Sequence, residues 1–286
     1  MPTQYSSFSQ FEPNEPAAII FIVVFGLLFG AHVWQSWRAK ILYMWPLIFA
    51  TALEFVGYVL REYCIQNRHE KTPYILSQVF VIIAPACLAA VLYMLVGRAI
   101  LYVGPGYAII RPSWITPTFV TLDIISIATQ GIGSGVIFGD TTSLTRLKVG
   151  RVILILGLFI QLVAFVVFLL LAIWFDVKTT RSLRDKVLHL RPFMNAFYTS
   201  GALILLRSIY RAIEFLSLDF STHPATGYFF NVEWAYYVLD ALPIALATLI
   251  YNIWYPAKYL PKSKKVAISK DEEYTMTHSV PQEERS

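Results

Sequence analysis

Charged and amide side chains interrupt several long apolar stretches of this sequence. The principal candidates for a functional site are Glu54, Gln130, Arg207, Arg211, Glu214 and Asp240, and the secondary candidates are Arg61, Gln78, Asp123, Gln161 and Glu233. A charge in the middle of a bilayer is costly, so such residues usually pair, face a bundle interior or line a path. These side chains therefore predict a buried polar site within a membrane.

The spacing of these residues predicts that they share helix faces. Arg207, Arg211 and Glu214 lie at i, i+4 and i+7, which places them on one stripe of a helix. Three pairs are each seven residues apart and share a face in the same way: Glu54/Arg61, Asp123/Gln130 and Glu233/Asp240. From the rise per residue, the principal residues are expected in the outer half of the bilayer and Asp123 in the inner half.

Acidic side chains outnumber basic ones inside the apolar stretches. Two arginines, Arg207 and Arg211, face four acids: Glu54, Asp123, Glu214 and Asp240. Either some of these carboxyl groups are protonated or a cation joins them, so a cationic ligand and a transported proton are the candidates. The alternative is a purely structural set of ion pairs and hydrogen bonds that fixes the register of the helices.

Composition identifies the elements that must hold these residues. Of the 286 residues, 57% are hydrophobic and 14% are charged, whereas soluble domains average about 45–50% and about 25%. Seven stretches are long enough to cross about 30 Å of hydrocarbon: residues 17–36, 41–60, 74–100, 116–138, 149–175, 194–216 and 233–255. The predicted fold class is all-α, a polytopic membrane protein with a bundle of seven transmembrane helices.

Three regions follow from this pattern: a short extracellular N-terminus at 1–16, a transmembrane domain at 17–255 and a disordered, basic-then-acidic cytoplasmic tail at 256–286. Most of the 23 Lys and Arg residues fall in segments that are cytoplasmic if the N-terminus is outside. We therefore predict the N-terminus outside and the C-terminus in the cytoplasm. Residues 176–191 are interpreted as a basic loop, with an interfacial helix as the alternative, and Pro192 as the start of the sixth helix.

Glycine and proline residues predict where helices pack and bend. Two GxxxG patterns, Gly26/Gly30 and Gly131/Gly135, are typical of faces where membrane helices approach closely. Pro85 and Pro243 are expected to kink the third and the seventh helix.

Residue types exclude several functional classes. No lysine lies between Glu233 and Tyr255, which excludes a retinal Schiff base on the seventh helix. Only His32 among the five histidines falls within a span, so no metal site is predicted. Neither a catalytic nucleophile–base pair nor a phosphate-binding loop is present, so we predict no enzyme, no cofactor and no primary pump. The net charge of +5 is assigned to contact with anionic lipid and not to nucleic acid.

Seven strings in the membrane body form one constellation: LEFVGYVLR at 53–61, IAPACLAAVLYM at 83–94, DIIS at 123–126, QGIG at 130–133, GLFIQ at 157–161, RSIYRAIEF at 207–215 and DALP at 240–243. Together they resemble the fungal RTA-like family, also called lipid-translocating exporters. The resemblance covers about residues 20–256, nearly the whole membrane body. The loop string SLDFSTHPATG at 217–227 departs from the glycine-rich character of many members.

The resemblance implies seven spans, fungal membranes and a role in lipid efflux or in resistance to toxic amphiphiles. Members are linked to export of sphingoid long-chain bases, and one branch to movement of porphyrin or haem. The leading hypothesis is a plasma-membrane transporter of lipid-like amphiphiles, with membrane lipids and an amphiphilic small molecule as partners and a cationic head group as one candidate. A seven-helix sensor of lipid or stress signals is the alternative, and a lipid-modifying enzyme is a weaker third hypothesis.

Overall fold

The residues that the structure describes form seven long helices and no strand. This computed structural model describes residues 14–40, 43–67, 71–104, 108–138, 143–182, 184–217 and 233–259. The helices are α1 Glu15–Ala39, α2 Trp45–Gln66, α3 Lys71–Val103, α4 Pro112–Phe138, α5 Leu144–Ser182, α6 Arg184–Leu216 and α7 Glu233–Ile253. The predicted all-helical fold is confirmed. Most of the predicted N-terminal region and tail, and most of the loop string at 217–227, lie outside the described residues.

Five of these helices, α1, α3, α4, α5 and α7, have the length and apolar composition of membrane spans. The other two, α2 and α6, are long enough to cross, but each carries charged side chains within its apolar body. In α2 these are Glu54, Arg61 and Glu62, and in α6 they are Arg207, Arg211 and Glu214. The two least apolar helices therefore contain most of the predicted polar site.

The helices α5 and α6 extend well beyond the predicted spans. Residues 176–191, interpreted from the sequence as a loop, are helical except at residue 183, which is not described, and Pro192 lies inside α6. Arg191 Nη1 lies 3.3 Å from Asp176 Oδ2, which ties the two helices together at this end. The predicted loop and the predicted helix start at Pro192 were both wrong. Contacts between helices outweighed the local signal of one proline.

The seven helices form a closed ring, and α3 is its most buried member. Each helix packs against the next along the chain, α7 closes the ring against α1, and α3 also contacts α5 and α6. Consecutive helices run in opposite directions, so α1 and α7 are parallel, as shown by contacts of Asn14 with Glu233 and of Ser36 with Tyr255. We call the two ends of the bundle the Glu233 end and the Trp254 end.

Exposed tryptophan side chains encircle the Trp254 end. Six of them are between 40% and 76% exposed, where lipid would surround the bundle: Trp34, Trp37, Trp45, Trp114, Trp174 and Trp254. Tryptophan is enriched at membrane–water interfaces, because its ring is apolar and its indole N–H is polar. These residues therefore mark one membrane interface.

Glycines make the closest helix contact, between α4 and α5. A Cβ atom on Gly133 would lie 2.5 Å from the Leu154 nitrogen and 2.7 Å from the Gly150 carbonyl oxygen. Gly131 and Gly135, the residues of the predicted motif, have nothing within 4 Å of such an atom. The GxxxG prediction on α4 therefore chose the wrong face of the helix, since spacing alone does not indicate which side meets a neighbour.

The substitution Gly133→Ala is expected to destabilise the protein. The added methyl group overlaps the backbone of α5, and overpacking of this kind costs about 1–3 kcal/mol. The matched control is Gly131→Ala, which enters open space and removes a glycine from a helix, a change worth about 1 kcal/mol in favour of folding. Melting temperatures of the purified variants in detergent measure the difference, and equal values for both variants would contradict the α4–α5 contact.

Candidate functional site

An ion-pair cluster joins α6 to α7 inside the bundle. Asp240 Oδ1 accepts a hydrogen bond from Arg211 Nε at 2.8 Å and lies 3.1 Å from Arg207 Nε. Arg211 Nη1 donates to Glu214 Oε2 at 3.0 Å. Every one of these side chains is at most 7% exposed. We call Arg207, Arg211, Glu214 and Asp240 the arginine–carboxylate cluster.

A proline in α3 provides one partner for this cluster. Arg207 Nη2 donates to the Val81 carbonyl oxygen at 2.8 Å. Val81 precedes Pro85 by four residues, and proline has no N–H with which to close the usual helical hydrogen bond to that carbonyl. The proline thus leaves an acceptor inside the membrane body, and the arginine satisfies it. This contact fixes α6 against the central helix.

A π-helical turn in α7 positions Asp240. Residues Tyr237–Ala241 form the π turn, which is closed by the Leu242 N–H bonded to the Tyr237 carbonyl. Pro243 lies two residues beyond the turn, and the kink expected at that proline stays a prediction. Glu233 and Asp240, seven residues apart, are separated by about 10 Å along the helix and have different partners: Glu233 pairs with Arg61, and Asp240 lies between Arg207 and Arg211. Single π turns within α-helices often occur at functional sites.

Glu54 places a further carboxyl group beside the cluster. The residue is 1% exposed and interacts electrostatically with Arg207, Asp240 and Arg211. Its Oε2 atom has no hydrogen-bond partner among the described residues, and neither do Asp240 Oδ2 and Arg211 Nη2. Each unsatisfied buried polar atom costs about 1–3 kcal/mol. The cluster therefore has donors and acceptors that its internal pairing does not use.

A small cavity adjoins the arginine side of the cluster. It is lined by Arg207, Ser208, Arg211 and Phe215 of α6 and by Ile82, Gln130, Ser134, Leu154, Leu158 and Gln161 of the neighbouring helices. Together with its open mouth it has about 440 Å³ of empty space, but a water molecule's centre can move over only about 20 Å³. That is room for about one water molecule. A lipid head group could bind between these walls only if the helices separated.

Two amides and a hydroxyl connect α4 to α5 beside this cavity. Gln130 Nε2 donates to Ser126 Oγ at 2.8 Å and to Gln161 Oε1 at 3.0 Å. Ser126 Oγ also donates to the Gly157 carbonyl at 3.0 Å. The predicted site residues Gln130 and Gln161 thus lie together and share the cavity with the two arginines.

A second ion pair lies at the Glu233 end. Arg61 Nη2 lies 3.0 Å from Glu233 Oε1, and the Asn14 N–H donates to Glu233 Oε2 at 2.6 Å. The Arg61 guanidinium is 4.4 Å from the centre of the Tyr236 ring, while the Arg211 guanidinium is 5.5 Å from the same ring. Tyr236 therefore connects the outer ion pair to the cluster. The sequence prediction had no signal for this tyrosine.

Two predicted residues are separate from the cluster. Asp123 is buried, and its electrostatic neighbours are Tyr93 and Cys87. Tyr93 follows Val81 by twelve residues of α3, which is about 18 Å along a helix. Gln78 is half-buried and does not line the cavity.

His32 has a structural role. It is fully buried, and its Nε2 lies 3.2 Å from the Thr248 carbonyl oxygen, which links α1 to α7 near the Trp254 end. Among the described residues, no three His, Cys, Asp or Glu side chains are grouped so that they would hold a metal ion.

The comparison with known proteins rests on sequence alone, because no solved structure matches this chain. The family described as "RTA1 like protein" matches residues 47–263. Over 73% of this chain and 67% of the relative, the identity to "Protoporphyrin uptake protein 1" of Saccharomyces cerevisiae is 32%. The matched residues 47–263 include α6 and α7, which carry the arginine–carboxylate cluster.

Two further fungal relatives carry names that mention lipids. The chain is 27% identical to "Lipid-translocating exporter-like protein RTA1" of Leptosphaeria maculans, over 91% of this chain and 53% of that protein. It is 25% identical to "Sphingoid long-chain base transporter RSB1" of Saccharomyces cerevisiae, over 85% of this chain and 72% of that protein. The chain thus spans only part of the length of these relatives, about half in the first case.

The substitution Asp240→Asn is expected to destabilise the bundle strongly. It removes the carboxylate that both Arg207 and Arg211 approach, and loss of one partner of a buried ion pair costs about 3–5 kcal/mol. The comparison variant is Asp176→Asn, because its partner Arg191 is 38% exposed and can turn to water when the pair is lost, so a smaller loss of stability is expected. Melting temperatures in detergent should fall much further for Asp240→Asn, and similar values for the two variants would rule out a buried, paired Asp240.

Proposed function

Because this chain belongs to the family of RTA1-like proteins, we propose that it is a multi-pass transporter that exports lipid-like amphiphiles. Sphingoid long-chain bases are the leading substrate class. The names of two relatives, a lipid-translocating exporter-like protein and a sphingoid long-chain base transporter, support this proposal over a sensor. The helical membrane body of this chain, in which five helices have the apolar composition of spans, also supports transport across a bilayer.

The observation that carries the proposal is the charged cluster inside an apolar bundle, with donors and acceptors left unused. Asp240 lies seven residues from the start of α7 and fourteen before Trp254, which is about 10 Å and about 20 Å along the helix. A head group that reaches the cluster has therefore crossed part of the membrane. In this proposal the head group contacts the cluster while its hydrocarbon tail stays between the helices and the lipid.

Glu54 is the residue that we assign to the amine of a sphingoid base. Its carboxyl group lies beside the cluster, is almost fully buried and has an oxygen without a hydrogen-bond partner among the described residues. If all the groups are ionised, Glu54, Glu214 and Asp240 exceed the two arginines by one negative charge. A protonated amine would neutralise that charge. Asp123 is too distant to contribute to the same contact.

The Trp254 end is proposed to face the cytoplasm, with the chain in the plasma membrane. Basic residues at this end include Arg38, Lys40, Arg111, Lys178, Arg181 and Lys258. Positively charged residues favour the cytoplasmic side of a membrane. The cluster then lies nearer to the outside, which suits release of an exported head group.

Transport of a fluorescent long-chain base by the purified protein in liposomes tests the proposal. We expect movement above that of empty liposomes, and a rate about tenfold lower for Glu54→Gln, because a hydrogen bond to a charged group contributes about 1.5–3 kcal/mol. The control is Glu15→Gln, a substitution of the same kind at an exposed position of the first turn of α1.

Equal movement in empty liposomes and in liposomes that contain the protein would exclude transport of this substrate. Equal rates for the Glu54 and Glu15 variants would leave transport in place but remove Glu54 from the path.

A further inference from the structure

The cavity beside the arginine–carboxylate cluster has the chemistry of an oxyanion site. We propose that it binds a phosphate or carboxylate group of the transported amphiphile, separately from the amine contact at Glu54. This inference rests on the proposed function and narrows its substrate class, because a free sphingoid base has no oxyanion whereas the phosphate ester of such a base carries both an amine and a phosphate.

The polar lining of the cavity supplies donors from α5 and α6. Arg207 and Arg211 contribute guanidinium groups, which have only N–H donors. Arg211 Nη2 is buried and has no hydrogen-bond partner among the described residues. Gln161 Oε1 already accepts a hydrogen bond from Gln130, so the amide nitrogen of Gln161 remains as a donor. Arginine is the side chain best suited to planar, two-point recognition of phosphate and carboxylate.

No carboxylate of the described residues lines this cavity. Asp240 and Glu214, which pair with the arginines, are outside the lining, and so is Glu54. A protonated amine placed here would meet guanidinium groups and no anionic acceptor, and like charges repel strongly where water is scarce. An oxyanion would accept hydrogen bonds from both arginines. The two charges of a zwitterionic head group would therefore have separate places, one at Glu54 and one in the cavity.

The size of the cavity sets a condition on binding. Its interior has room for about one water molecule, whereas the space that includes its mouth is about 440 Å³. Small-molecule sites in proteins are typically about 300–1,000 Å³, so the closed interior is too small for a phosphate group. Entry of the group requires α4 and α5 to move away from α6. Free phosphate and a lipid phosphate share this chemistry, and the test below distinguishes them.

Equilibrium binding to the purified, full-length protein in detergent tests the proposal. The probes are a sphingoid base, the 1-phosphate of the same base and inorganic phosphate. We expect the 1-phosphate to bind at least about tenfold more tightly than the base, a difference of about 1.4 kcal/mol. Weak competition by inorganic phosphate would assign the site to a lipid head group, and competition at equal concentrations would assign it to free phosphate.

The substitution Gln161→Glu places a carboxylate in the lining with almost no change of shape. It retains the acceptor that Gln130 uses, so the α4–α5 contact is expected to persist. We expect about tenfold weaker binding of the 1-phosphate and no loss of binding of the base. The matched control is Gln35→Glu on α1, where the Gln35 amide donates to the Asn252 carbonyl and does not line the cavity.

Equal affinities for the base and its 1-phosphate would overturn the oxyanion site, and so would equal effects of Gln161→Glu and Gln35→Glu. If Gln161→Glu lowers the melting temperature, Gln161→Leu replaces it, because loss of the amide donor alone should weaken binding of the 1-phosphate. Binding of the 1-phosphate without movement across liposomes would exclude the proposed transport but keep the site. Movement across liposomes without any preference for the 1-phosphate would support the proposed transport and exclude the oxyanion site.

Discussion

The carboxylate of Asp240, held between two guanidinium groups away from water, is the constraint on which the rest of this bundle depends. An unpaired charge in this position would be far more costly than any single packing defect. Arg207 and Arg211 must therefore lie one turn apart on α6, and α7 must present Asp240 at the same height. The π turn of α7 and the Val81 carbonyl freed by Pro85 both serve this arrangement. The π turn in α7 and the proline in α3 thus both help to place partners around the Asp240 carboxylate.

The two halves of the bundle have different chemistry. Towards the Glu233 end the interior contains the cluster, Glu54, the two amides and the Arg61–Glu233 pair. Towards the Trp254 end it contains packed aromatic rings, such as Tyr93 and Phe168 with centroids 4.5 Å apart, and the buried Asp123. The two buried arginines and three of the five buried carboxylates lie towards the Glu233 end, which gives an amphiphile's head group a place in the protein while its tail remains in hydrocarbon. That asymmetry is what the proposed transport requires.

The sequence predicted the number of helices and the shared stripe of Arg207, Arg211 and Glu214, because apolar length and 3.6-residue periodicity are local properties. It did not predict that Gly133, and not Gly131, meets α5, since both residues belong to one small-residue pattern. Helix extension across residues 176–191 depends on contacts between helices, which a local pattern does not contain. The separation of Asp123 from the cluster follows from its depth along α4, since it lies seven residues, or about 10 Å, from Gln130.

The packing of the helices also indicates which surfaces a head group would separate. The backbones of α4 and α5 are in direct contact at Gly133, Gly150 and Gly157, so these two helices form one tightly packed pair. All four members of the arginine–carboxylate cluster lie on α6 and α7. The cavity lies between these two units, where the contacts include hydrophobic residues such as Leu158 and Phe215. Opening there would expose apolar surface to a lipid tail and leave the ion pairs closed, and exposure of apolar surface to hydrocarbon costs little. Movement of α6 away from α7 would instead break the Asp240 pairing, so the path of least cost for an amphiphile runs along the α4–α5 side of the cluster.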